Sequence, residues 1–127
     1  MSEPTWLPVE LVVAIHDEQL VIFGGAAGLR DQGALESALG RPQNKWGYEN
    51  QQDHAVLAAA YAFGLAKNHP FVDGNKRTAF LSAVTYLGLN GIDLAVEEAE
   101  VVVIMQALAA GEVDEAGFAR WIGDNIK

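Results

Sequence analysis

Between residues 53 and 90 the chain spells two helical segments separated by one polar loop, and this punctuation limits the fold more than any other feature. Asp53 is a good N-cap, and the Ala- and Leu-rich run that follows to Lys67 favours helix. Pro70 cannot lie deep in a helix and Gly74 permits a left-handed backbone, so residues 68–74 form a tight loop. Asn75 is then expected as the N-cap of a second helix. Its apolar spacing Ala79, Phe80, Ala83, Val84, Leu87 runs to a stop at Asn90-Gly91. Small residues at Ala58, Ala59, Ala60, Ala62 and Gly64 let neighbours approach the first helix closely, so it should be central.

Four more helices fit around this pair. Pro8 suits the first turn of a helix over 8–23 with Leu11, Val12, Ile15 and Ile22 on its apolar face, ended by Gly24-Gly25. Asp31 caps a short helix through Leu39, which Gly40-Arg41-Pro42 should terminate. Residues 43–52 are polar apart from Trp46 and Tyr48 and read as an irregular loop or flap. Residues 96–109 and 114–124 supply the last two helices, with Gly111 between them. The run Val101-Val102-Val103-Ile104 has no partner strand, and its Glu and Ala neighbours favour helix. The expectation is an all-α, compact bundle of about six helices forming a single domain over residues 1–127, with the polar loop between its two central helices.

Composition removes several function classes. Half of the 127 residues are apolar, enough for one core. The chain has no cysteine, which excludes disulfides and thiolate metal sites, and residues 1–4 lack the basic and apolar regions of a signal peptide. No uncharged apolar run reaches about 18 residues, so a membrane role drops out and a cytoplasmic location is expected. A formal charge of −9 opposes direct nucleic-acid binding. Against that acidic field Lys67, Lys76 and Arg77 make a local positive spot, which favours a small polyanion.

The loop itself reads as a phosphate-handling site. His69 can accept a proton from an attacking hydroxyl near neutral pH. Asp73, the loop's only carboxylate, suits Mg²⁺, which takes one or two carboxylates together with phosphate oxygens and water. Gly74 lets a phosphate approach the backbone, and Asn75 adds an amide donor or a capping oxygen. Lys76 and Arg77 fall in the first helical turn, where cations oppose the macrodipole unless an anion offsets them. Lys67 is the weaker member, because a cation at the end of the preceding helix is favoured in any case. His16-Asp17 is read as structural, since adjacent helical residues do not face each other, and His54 as a solvent-facing first-turn residue. Trp6, Trp46 and Trp121 are too scattered for a stacking platform and should anchor the core or an interface.

The motif His69-Pro70-Phe71-Val72-Asp73-Gly74-Asn75-Lys76-Arg77-Thr78-Ala79-Phe80 resembles the signature of the Fic/Doc family, His-Pro-Phe-x-Asp/Glu-Gly-Asn-Gly-Arg-x-x-Arg on a helical bundle. Lys76 stands where adenylylating Fic enzymes have their second glycine, and Phe80 where they have the final arginine; both resemble the Doc branch. Flanking residues match too, among them His16-Asp17, Gly24-Gly25, Gly28-Leu29-Arg30-Asp31-Gln32-Gly33 and Gly40-Arg41-Pro42. The resemblance implies that His69 is the base, Asp73 the Mg²⁺ ligand, and Gly74-Asn75-Lys76-Arg77 the cradle for the ATP triphosphate, with Lys76 directing the γ-phosphate. It further implies a toxin kinase of a toxin–antitoxin pair that phosphorylates elongation factor Tu and arrests translation. Gly74 is the Fic-like residue, and protein adenylylation is the alternative; a non-catalytic phosphate-binding module is the third reading. Self-inhibited Fic proteins carry a Ser/Thr-x-x-x-Glu-Gly/Asn helix. Here Thr5, Ser37 and Ser82 are followed four positions later by Val9, Arg41 and Tyr86, so restraint is expected from a separate antitoxin of the Phd type.

Overall fold

Six helices make up the structure, a computed structural model that describes residues 2–127: α1 Val9–Phe23, α2 Gln32–Glu49, α3 His54–Asn68, α4 Asn75–Leu89, α5 Glu98–Ala110 and α6 Glu115–Asp124. The all-α expectation holds, and the only extended pairings among the described residues are isolated bridges, Leu29 with Phe71 and Leu94 with Ile126. No helix among those residues is long and apolar enough to cross a membrane.

Helix α3 is the hub, as its small residues predict. It packs on α2, α4, α5 and α6, and burial runs all round it from Ala55 to Ala66, the mark of a helix without a solvent face. At Gly64 the fit is closest: a Cβ there would lie 3.0 Å from Ala38 Cα and 2.9 Å from Arg41 Cδ, so α2 and α3 meet at glycine. Asp53 caps α3 as expected, accepting from the Ala55 N–H at 2.9 Å.

Helix α2 departs from the expectation of a stop at Gly40-Arg41-Pro42 and a flap over 43–52. It continues through Pro42 to Glu49 and ends at Asn50, in the left-handed region at φ 53°. An internal proline forfeits one helical hydrogen bond and costs about 3 kcal/mol. Pro42 is nevertheless buried in line with Leu35, Ala38 and Leu39, and the next turns bring Trp46 edge-on to Trp6 at 6.4 Å. Burial of that stripe offsets the proline.

The face of α1 also differs from the expected Leu11, Val12, Ile15, Ile22 stripe. Its buried residues are Val12, His16 and Gln19, while Val21, Ile22 and Phe23 are exposed. Ahead of α1, Trp6 stacks on Tyr86 at 6.0 Å, and the Asn90 side chain bonds both the N–H and the carbonyl of Thr5. The Tyr61 hydroxyl accepts from the Leu7 N–H at 3.0 Å; burial pushes that hydroxyl up to about 12, so it stays neutral at ordinary pH. His54, expected to face solvent, instead places Nδ1 2.9 Å from the Tyr86 hydroxyl.

Candidate functional site

The polar loop joins α3 to α4, and its shape depends on residues that hold backbone to backbone. His69 closes α3 in the left-handed region, at φ 47° and ψ 56°. Phe71 is buried, and the Asn75 side chain brackets it, accepting from the Phe71 N–H at 3.0 Å and donating to the Phe71 carbonyl at 2.9 Å. Asn75 is therefore the first residue of α4 rather than its N-cap, and its amide is spent on stitching the loop. The same amide lies 3.4 Å from His69 Nδ1, a long contact in which Nδ1 can only accept. The N-cap is Gly74, at φ 77° and ψ 16°, a conformation suited to glycine.

From beneath, α1 supports this turn. His16 is buried, stacks on Phe71 with ring centroids 3.8 Å apart, and donates from Nε2 to the Asp73 carbonyl at 2.7 Å. Its Nδ1 is 3.8 Å from Asp17 Oδ1, beyond hydrogen-bond range, so the two form no dyad. A polar residue faces the core here because the loop carbonyl needs a donor.

What remains outward is a titratable ring, a carboxylate and a helix N-terminus. His69, Asp73, Lys76 and Arg77 are all exposed. Gly74 carries no side-chain cap, and the first N–H groups of α4 have no carbonyl one turn back, which leaves donors and a positive pole for an anion. Arg77 is anchored, its guanidinium 4.8 Å above the Phe23 ring and 3.5 Å from the Gly24 carbonyl. Lys76 and Arg77 form one rim of a groove of about 630 Å³ lined by Phe23, Phe80, Val101 and Met105. Lys67, in the last turn of α3, donates from its ammonium to the Ala109 carbonyl at 3.2 Å, at the end of α5.

The donor set fits a hard cation held partly by a ligand. Asp73 Oδ1 accepts from the Gly74 N–H at 2.8 Å and Oδ2 from the Ala26 N–H at 3.3 Å, leaving each oxygen a second lone pair. No group of three His, Asp or Glu side chains that could enclose a metal occurs among the described residues. One carboxylate beside an anion pole suits Mg²⁺ that brings phosphate oxygens and waters with it.

The Fic/DOC family model matches residues 6–87, from Trp6 into the last turn of α4. The chain belongs to the Fic/DOC family. Among curated Fic/DOC relatives, Protein kinase doc of Escherichia phage P1 is 34% identical over 110 residues, 87% of this chain and 86% of that one. Toxin Doc of Mycolicibacterium smegmatis is 44% identical over 78 residues, 61% of this chain and 60% of that relative.

The family resemblance covers the loop between α1 and α2, but the sequence did not show that this loop packs against the candidate site. Residues 28–31 run beside 70–72: Val72 N–H donates to the Gly28 carbonyl at 3.0 Å, and Arg30 and Asp31 N–H both donate to the Pro70 carbonyl, at 2.7 and 3.0 Å. Gly25 is needed close by, because a Cβ there would sit 2.7 Å from Asp73 Oδ2.

The carboxylate is testable on its own. Asp73→Asn keeps the oxygen that caps Gly74 but loses the anionic charge, so the fold should survive. Mg²⁺-dependent nucleotide binding should weaken by about tenfold or more, equivalent to about 1.4 kcal/mol or more. A Mg²⁺ titration of nucleotide binding by calorimetry, unchanged from the parent, would remove Asp73 from that role.

Proposed function

We propose that this chain is a Doc-type toxin, a protein kinase that transfers the γ-phosphate of ATP to a hydroxyl of a protein target, with translation elongation factor Tu as the expected target. The observation that carries this reading is the placement of exposed His69 and Asp73 on one loop at the uncapped N-terminus of α4. In the reaction the target hydroxyl gives its proton to His69 as its oxygen bonds to the γ-phosphorus. The bond to the β–γ bridging oxygen breaks, and ADP leaves. His69 is exposed, and its only side-chain hydrogen-bond contact among the described residues is the long 3.4 Å approach of the Asn75 amide to Nδ1; with the ring proton on Nδ1 instead, that contact gives way and a bare Nε2 is presented to the hydroxyl. Mg²⁺ on Asp73 supplies charge neutralisation to the phosphate oxygens when bound.

Transfer of the γ-group rather than the adenylyl group is favoured at two positions. Lys76 extends a cation from the first turn of α4, and Phe80, one turn on, is half-buried and edge-on to Trp121 at 6.4 Å. No guanidinium reaches the phosphates from position 80. The named relatives, one a protein kinase and one a toxin, support the same reading. Adenylylation keeps one supporting observation, the open backbone at Gly74. Purified chain, elongation factor Tu and ATP labelled at the α- or γ-phosphate separate the readings. Label transferred from the γ-position supports the kinase, label from the α-position an adenylyltransferase, and no transfer a phosphate-binding module.

A cytoplasmic toxin needs restraint, which we assign to a Phd-like antitoxin. Its partly disordered segment would fold as a helix into the groove between α1, α4 and α5, apolar face on Phe23, Phe80 and Val101, with an acidic residue towards Lys76 and Arg77. Calorimetry should give a strongly negative ΔCp. Val102 lines the groove and is 52% exposed, so Val102→Glu should fold normally. It should weaken antitoxin binding about 10- to 100-fold, roughly 1.4–2.7 kcal/mol, without changing phosphoryl transfer. Unchanged affinity would place the antitoxin on another surface.

A further inference from the structure

His69 and Asn50 are the only non-glycine residues at positive φ among the described residues. Asn tolerates that region, whereas a histidine followed by proline has little local reason to occupy it, since the residue before proline is pressed towards extended backbone. The turn that presents the imidazole must therefore be held from outside, and the contacts on the carbonyls of His69 and Asn68 come from one side chain. Arg30 Nε donates to the His69 carbonyl at 2.7 Å and its Nη2 to the Asn68 carbonyl at 2.9 Å. Its backbone N–H donates to the Pro70 carbonyl at 2.7 Å. One residue thus bonds three consecutive carbonyls, the first two through its side chain and the third, which the Asp31 N–H also reaches, through its backbone.

Two of those carbonyls close α3, where helical partners run out and the helix pole is negative, so a cation is favoured there. The rigid guanidinium fork serves both at once, which a single ammonium cannot do with the same geometry. Arg30 is itself anchored, because Asp31 caps α2 by accepting from the Ala34 N–H at 3.0 Å and Leu29 pairs with Phe71. We propose that Arg30 is a positioning residue, holding His69 in its left-handed conformation so that the imidazole meets the target hydroxyl. This rests on His69 being the base.

The test is Arg30→Ala in the full chain, compared with Arg30→Lys. The Ala variant should lower kcat about 10- to 100-fold, the scale of loss from a base displaced by about 1 Å, while KM for ATP stays within about twofold. The His69 ¹³Cα resonance should leave its left-handed position, and millimolar guanidinium should restore part of kcat. Arg30→Lys should fall between the two, and it decides on the same readouts should the Ala variant not fold. A folded Ala variant that keeps the His69 resonance and kcat overturns the proposal, as does a loss carried by KM without guanidinium rescue. If the parent chain transfers no label, the kinase reading fails, yet the His69 resonance still reports whether Arg30 holds the turn.

Discussion

His69→Ala should reduce phosphoryl transfer by roughly 10²- to 10⁴-fold while leaving nucleotide affinity nearly intact, the usual contribution of a positioned general base. The structure adds a control. Because residue 69 sits at φ 47°, histidine and alanine alike carry the left-handed penalty of about 1–2 kcal/mol there, and alanine also loses the ring's contacts, so a change in stability could be mistaken for a catalytic one. His69→Asn removes the penalty, since Asn accepts this backbone and its amide cannot take a proton. Both variants should lose transfer equally, with the Asn variant melting later than the Ala variant. Near-parental rates in His69→Asn would remove the base role, whatever the Ala variant does.

The parts of the fold legible in the sequence were those written in local chemistry. Asp53 and Asp114 announce α3 and α6 and cap them, accepting from Ala55 and Gly117. Gly74, in a run between two apolar helical periods, marks the turn into α4. What local chemistry could not show were terms settled by distant partners. Pro42 breaks a helix by its own geometry, and only the burial shared with Leu35, Ala38 and Leu39, with Trp46 on Trp6 beyond, outweighs that cost. His16 donates to a carbonyl 57 positions away, so its place on the buried face of α1 carries no periodic signal. Asn75 has the composition of a cap, yet the Phe71 peptide four residues earlier claims its amide. The same holds for Arg30, which the sequence marks by its place ahead of the Asp31 cap and within the flanking stretch of the family resemblance, neither of which tells what its side chain holds. In the candidate site, residue types were readable and support was not.

Lys76 is the position where stability and activity should move in opposite directions. It lies in the first turn of α4 behind an uncapped Gly74, where a cation is opposed by the helix dipole by about 0.3–1 kcal/mol. Lys76→Ala removes that repulsion and inserts the best helix former, so the variant should be as stable as the parent or slightly more so. Its γ-phosphoryl transfer should nevertheless fall roughly 10²- to 10³-fold, the scale seen when one preorganised stabiliser of transition-state charge is lost. Glycine costs the helix about 1 kcal/mol relative to alanine and restores the open backbone of adenylylating relatives. Lys76→Gly should therefore lose γ-transfer to the same extent, and it tests whether a reoriented nucleotide now gives up its α-phosphate. The two label positions, read on both variants beside their melting temperatures, separate a charge effect from a backbone effect. Parental γ-transfer in Lys76→Gly would show that the ammonium does not direct the phosphate, and the case for a kinase over an adenylyltransferase would then rest on Phe80 and on the likeness to the kinase relative.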